Sequence, residues 1–399
     1  MNVDSNSSIP PLPMRIAGEP AGPGRPPAMA EPGSAHPRHR YEIPPDYLQA
    51  AASLAHRCLA RDEKAFHPDA APHRDAGRDD IMRGVREQHR ARQRILRQDA
   101  AAFFAGLDKA ALAASRRPLG GLPCPTGMDA AQLEAAFAGL LEAWPGLVMG
   151  QVRFQVGARK LLMENMRALK AMGVERLYME HLLSDLHGPQ LDRLYESAHN
   201  EISMDLAEYI RMLEKPARFR YWINARTNEA YALDMLVAAA HRHGIRVIAL
   251  DCAASYFPSG DADAGQQPGR IALLNFLSRQ VIGEQEETDG TGPARGAGRQ
   301  GGKWIALVER TQLNQVDDIP GLPALMGVPG IRVQDGRTNR LGPDPGCAPE
   351  HSDTHGAWPD EHPGTIQGDA LLEVDVFPPP PRRMDPAGHA GASPRPSTE

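Results

Sequence analysis

Residues Trp144 to Asp185, WPGLVMGQVRFQVGARKLLMENMRALKAMGVERLYMEHLLSD, decide the fold. Leu147 to Gly150 is a short apolar run that reads as a strand. Val156 to Met172 carries apolar residues at three- and four-residue spacing and reads as a helix, and Arg176 to Glu180 reads as a second strand. That order and length make one βαβ unit. The unit places Gln151, Arg153, Glu180 and His181 at the carboxyl ends of its strands, the edge where open α/β sheets bind ligands.

Downstream, the same pattern repeats. Thr227 to His243 is a predicted helix that stops at Gly244, a normal position for a C-terminal glycine, and Ile245 to Asp251 (IRVIALD) is an apolar strand ending in an acid. Arg270 to Ile282 reads as a helix, and Lys303 to Val308 (KWIALV) as a strand followed by Glu309. A helical turn at Leu322 to Met326 precedes a strand at Ile331 to Val333, and Leu371 to Val376 reads as an edge strand. Pro189 to Glu214 reads as two helices broken at Asn200 to Ser203. Alternating helix and strand predict an α/β fold with a mostly parallel sheet flanked by helices.

Upstream, the composition changes. Residues 1–40 hold nine prolines and no aromatic residue, a composition unable to offset the entropy of ordering, and are expected to be a disordered leader. Residues 41–120 read as a helical region, with helices at Tyr47 to Arg61, Asp80 to Leu107 and Lys109 to Arg116. The middle one carries Arg83, Arg86, Arg90, Arg92, Arg94 and Arg97 and ends in Phe103 and Phe104. Such a charge run usually marks a solvated face on a helix that docks by its apolar end. Its functional reading is contact with an acidic membrane surface or an acidic partner. Residues 121–128 are a Gly/Pro linker, after which Asp129 caps a helix over Ala130 to Ala143. The α/β domain is expected over 129–377, with loop insertions near 284–302 and 336–368 and a disordered tail over 378–399.

The whole-chain charge of −6 argues against a nucleic-acid partner. No apolar run is long enough to span a membrane, and the first residues lack the charged head and apolar core of a cleavable signal. Cys58, Cys124, Cys252 and Cys347 are far apart, which suggests neither zinc nor a disulfide framework. Cys252 follows an apolar strand and reads as a core residue. His187, His199, His241 and His243 have no partner at ligand spacing and read as surface residues.

Glu180, Asp251 and Glu309 each end a strand. One such acid is a turn residue, but three on one edge can bind a cation or act as general acid and base. Four segments in order, GLVMGQVRFQVGARKLLMENM with LKAMGVERLYMEHL, HGIRVIALDCAASY, RIALLNF, and KWIALVERTQLNQVDDIPGLPALMGVPGIRVQD, resemble the TIKI/ChaN/erythromycin-esterase-like superfamily. The resemblance covers roughly residues 144–335 and is strongest to the branch found in dermonecrotic and Pasteurella-type toxins and type III effectors. It implies an α/β domain whose competent members carry Gly-Glu-x-His after the first strand, an acid after the second and a histidine after the last core strand, together supporting metal-dependent hydrolysis of peptides or small esters.

On this pattern Gly150 matches the motif glycine, Glu180 and His181 the second motif, and Asp251 the acid after the third strand. Arg270, Asn275 and Asn314 match an arginine and two asparagines. The departures are Gln151 for the glutamate, Arg153 for the first histidine and Gln312 for the last, with Glu309 where a small residue opens the final loop. An amide is no general base at neutral pH, and a guanidinium cannot ligate a metal. An Arg153–Glu180 pair is the expected occupant of the metal position.

The expected function is therefore a secreted effector or toxin-like protein with a catalytically degenerate domain used for binding or targeting a host or bacterial protein, with no cofactor. It is expected to be made in the bacterial cytoplasm and exported into a host cell. The alternatives are a divalent-metal hydrolase working through Glu180, His181 and Asp251, and an α/β protein that docks a membrane or partner through its basic helix.

Overall fold

A computed structural model describes residues 40–43, 76–108, 110, 112, 119, 127–152, 155–197, 202–210, 230–256, 269–288, 302–313, 319–347 and 366–376, all within one compact unit. Its centre is a seven-stranded sheet in the order β3-β2-β4-β1-β5-β7-β6. The strands are β1 (Gly146–Gln151), β2 (Val174–Leu183), β3 (Arg246–Asp251), β4 (Lys303–Glu309), β5 (Gly330–Gly336), β6 (Arg340–Gly342) and β7 (Ala370–Asp375). Every pair is parallel except β6 with β7. The helices are α1 (Ala76–Ala105), α2 (Ala130–Ala143), α3 (Gly157–Ala171), α4 (Ser184–Glu196), α5 (Leu233–Arg242), α6 (Ala253–Tyr256), α7 (Arg270–Thr288) and α8 (Leu322–Met326), with a further helical stretch at 204–210.

Side chains alternate across the sheet, and the alternation sorts the core into two layers. Leu147, Met149, Leu177, Met179, Val247, Ala249, Ile305 and Leu307 pack with α2, α3, α4 and α5. Val148, Tyr178, Ile248, Leu250, Trp304, Ala306 and Val308 pack with α1, α7 and α8. In the second layer, Tyr178 meets Trp304 edge to face at 5.9 Å. Helix α1 docks on α7 through Phe103, whose ring centre lies 5.3 Å from that of Phe276. Its Arg83, Arg86, Arg90 and Arg94 face solvent, spaced to form one stripe. No helix among the described residues is long and apolar enough to cross a membrane.

The predicted βαβ unit stands, with β2 longer than expected. Several boundaries differ. Helix α4 begins at Ser184, ahead of the expected Pro189, because Leu183 N–H donates to His187 Nδ1 at 2.9 Å and starts the turn. His187 was expected at the surface but is buried, its ring centre 4.0 Å from that of Tyr209. Helix α7 runs to Thr288, into the expected insertion at 284–302, where Glu286 pairs with the buried Arg176 of β2 at 3.0 Å. Strand β7 is interior, since the short β6, hidden in a turn-rich stretch, pairs on its far side. The expected helices at Tyr47 to Arg61 and Lys109 to Arg116, most of the 121–128 linker, and all of the leader and tail except Arg40 lie outside the described residues, apart from isolated positions.

Candidate functional site

Strands β1 and β4 are neighbours whose onward connections run in opposite directions, β1 to β2 and β4 to β5, so the crevice at their carboxyl ends is a topological switch point. Gly150 is where a side chain cannot be accommodated. A Cβ there would lie 2.5 Å from Leu313 Cδ1 and 3.0 Å from Arg310 Cα, in the one-turn 3-10 helix Arg310–Leu313 that folds back over β1. The glycine lets that turn close, and the turn brings Gln312 to the end of the sheet.

Around the crevice lie Gln151, Glu180, Asp251, Glu309 and Gln312, all buried. Two groupings form. In the first, Gln151 Nε2 and His181 Nε2 are 2.7 Å apart, so the amide donates to an unprotonated ring nitrogen. Tyr209 Oη donates to the His181 carbonyl at 3.4 Å.

The second grouping is ionic. Arg270, the first residue of α7, donates through its NH2 nitrogen to Asp251 Oδ2 at 3.1 Å and lies 3.7 Å from Glu180 Oε1. Its NH1 nitrogen donates to the Ser255 carbonyl at 2.9 Å. Glu180 Oε2 accepts the Glu309 backbone N–H at 2.6 Å, and Asp251 Oδ1 accepts the Cys252 N–H at 2.8 Å. Burial, then the Glu309 charge, pushes the Glu180 carboxyl up to about 8 against the pull of Arg270. Burial likewise raises Asp251 above the usual carboxylate range; against its own burial, Arg270 is held firmly protonated by Asp251, Glu180 and Glu309. Cys252 is a fully buried core residue whose thiol is pushed well up by that burial and by Asp185 and Asp251.

A divalent cation, which the family resemblance implies, needs several free carboxylate oxygens or imidazole nitrogens converging on one point. Here Glu180 Oε2 and Asp251 Oδ1 each accept a backbone N–H, Arg270 donates to Asp251 Oδ2 and sits 3.7 Å from Glu180 Oε1, and His181 Nε2 faces an amide. Among the described residues no group of three or more His, Cys, Asp or Glu side chains is placed to hold a metal ion. Among the described residues the donor set does not fit a metal. The guanidinium expected on Glu180 was that of Arg153; Arg153 lies outside the described residues, and the one seated there belongs to Arg270.

Not every residue expected at the site is there. Asn275 donates to the Pro320 carbonyl at 3.2 Å and joins α7 to the segment before α8, while its Oδ1 is buried without a hydrogen-bond partner. Gln312 Oε1 is similarly buried and without a partner. Asn314 lies outside the described residues. Sequence reasoning passed over Asp185 and Ser255. Asp185 was detectable as an acid opening the helix that leaves β2, but the Ser255 contact is a backbone carbonyl and has no residue signature.

No known family profile matches the chain. Among curated proteins it is similar to the multifunctional-autoprocessing repeats-in-toxin protein of Vibrio vulnificus, 27% identical over 219 residues, which is 54% of this chain and 4% of that protein. What the chain is similar to is a segment of a bacterial toxin. Among solved structures, RRSP, a MARTX toxin effector domain from Vibrio vulnificus, is 23% identical with a TM-score of 0.38, over 50% of this chain and 35% of that one. The C-terminal region of Pasteurella multocida toxin is 13% identical with a TM-score of 0.40, over 61% and 30% of the two chains. The type III effector HopBA1 is 16% identical with a TM-score of 0.35, over 64% and 97%. TM-scores this low mark partial overlap.

Proposed function

We propose that this chain is a bacterial toxin-type effector module, delivered into a host cell, whose carboxyl-edge site is degenerate for hydrolysis in a TIKI/ChaN-like scaffold and serves to bind a protein partner. The observation that carries this reading is Gln151, whose amide faces His181 Nε2 at 2.7 Å where the competent pattern has a glutamate able to take up a proton. Gln312 supports it, a buried amide where that pattern has its last histidine. The similarity to a toxin segment supports the delivery.

The test is elemental analysis of the purified full chain, with melting repeated in Mn²⁺, Zn²⁺ and chelator. A metal bound only by the folded state must raise the melting temperature. The expected outcome is no stoichiometric metal and no shift. Bound metal, or a stabilisation that chelator reverses, sinks the degenerate-site reading and favours a hydrolase working through Glu180, His181 and Asp251.

A second reading concerns α1. The exposed stripe of Arg83, Arg86, Arg90 and Arg94 is suited to an anionic membrane surface. Co-sedimentation of the full chain with phosphatidylserine vesicles at low salt, lost when the four arginines become glutamine, is the expected result. Equal sedimentation of parent and variant assigns the stripe to solvent.

A further inference from the structure

We propose that the free edge of β3 is a docking groove that takes an extended, lysine- or arginine-bearing segment of a partner protein as an added strand. Strand β3 ends the sheet and pairs with β2 on one side only. A strand in that position presents backbone N–H and C=O groups along its outer side, a template for another strand. Among the described residues, no hydrogen bond from outside the sheet reaches the main chain of Val247, Ile248 or Ala249.

A cavity of about 230 Å³ runs along this edge, lined by Arg246, Val247, Ile248 and Ala249 in succession. Successive side chains of a strand point to opposite faces, and here Val247 and Ala249 pack in the layer of α2 to α5 while Ile248 packs in the layer of α1 and α7. A space that touches both sets lies against the backbone edge and not on either face. Water reaches that edge. Val247 and Ile248 keep 5% and 6% of their surface, against 2% and 0% for Leu177 and Tyr178, their partners on β2.

The facing wall is α4. Its Ser184, Gly188 and Leu191, with Asp185 and Asp192 beside them, recur at three- and four-residue spacing and form one face. From Asp185 to Asp192 that face rises about 10 Å, the length of about three strand steps, so wall and edge match. Gly188 leaves the wall open near its middle, since a Cβ there would meet nothing within 4 Å. Residues 42–43 cross one end, where the Ile43 N–H donates to Asp185 Oδ2 at 3.1 Å and the Ala253 N–H to Asp185 Oδ1 at 3.2 Å. At the other end Asp192 accepts from Arg246 at 2.8 Å.

Charge selects the occupant. The lining holds three acids, Glu42, Asp185 and Asp192, and one base, Arg246, which Asp192 already engages. That balance favours a cationic segment and opposes an acidic one. Two copies of this chain joined edge to edge would set the same acids against one another. The cavity is smaller than the usual small-molecule pocket, whereas an added strand lays its backbone on the edge and sends only alternate side chains into pockets.

The experiment is fluorescence anisotropy on the full chain with a labelled octapeptide alternating lysine and valine. It is compared with the same peptide methylated at every amide nitrogen and with one alternating glutamate and valine. The lysine peptide is expected to bind, more weakly at high salt. Methylation keeps the charge and removes strand pairing, so it should weaken binding by about tenfold or more, and the glutamate peptide should not bind. In Gly188→Leu, which fills the open part of the wall with a better helix former, binding should fall by about tenfold or more with the melting temperature kept or raised. No binding of the lysine peptide, the outcome if another segment of this chain fills the groove, overturns the proposal. So does equal binding of the methylated or the glutamate peptide, unchanged binding in a folded G188L, or a dimer in sedimentation that G188L dissociates, which gives the edge to a second copy. If G188L does not fold, the three peptides on the parent chain decide the matter.

Discussion

At the scale of single residues, the chemistry of the site turns on Arg270. Two buried carboxylates share its guanidinium, and truncating one member of a buried ionic group leaves the others without compensation. Arg270→Met should destabilise the fold by about 3 to 5 kcal/mol, read from urea unfolding, with Asp251 pushed further toward its neutral form. A loss within a few tenths of that of an ordinary surface substitution would show that the carboxylates do not depend on Arg270. Sequence placed Arg270 by resemblance alone. Nothing in RIALLNF says that its first residue reaches back across the second layer to two strand ends, because that contact depends on where α7 crosses the sheet.

At the scale of elements, the connection between β1 and α3 is held from outside. Helix α3 has no side-chain N-cap of its own at Val156. Asp335, near the end of β5, supplies one, accepting Val156 N–H at 3.1 Å and Gly157 N–H at 2.7 Å, while its own N–H donates to Gln155 Oε1 at 2.7 Å. Gly157 is required for this approach, since a Cβ would stand 2.9 Å from Asp335 Oδ1. Asp335→Ala should cost about 1 to 2 kcal/mol by thermal melting, the usual loss for an N-cap, and should loosen the first turn of α3. An unchanged melting temperature would assign the cap to solvent. By contrast Asp129, which caps α2 with Gln132 in a reciprocal pair, was legible because cap and helix are adjacent in sequence.

At the scale of the whole molecule, the buried acids set how stability follows pH. Glu180 at about 8 and Asp185 at about 7 both lie above their unfolded values, so the folded chain holds protons that the unfolded chain has released. Their contribution is fully present below the unfolded carboxylate range and is lost as pH rises through about 7 and then about 8. His187 acts in the opposite direction. Its ring is held neutral, with the pKa lowered to about 3, so its contribution is complete above the unfolded histidine value and is lost in acid. Between about pH 6.5 and about pH 8.5 the two carboxyl groups outweigh His187, and stability should fall by about 2 kcal/mol with rising pH. Calorimetric melting at the two pH values checks this, and a higher melting temperature at the alkaline end would contradict it.

The α/β class, the succession of strands β1 to β5 along the chain, the central βαβ unit and the edge that gathers acids follow from the sequence itself. Apolar periodicity, Gly stops and strand-terminal acids act over a few residues, so the chain states them locally. Three things only the tertiary structure decided: the interior place of β7, the seat of Arg270 between Glu180 and Asp251, and the reach of Asp185 to both Ile43 and Ala253. Each joins groups far apart in the chain. Such contacts form when strand order and helix crossing bring side chains within about 3 Å of one another, and no local pattern encodes that distance.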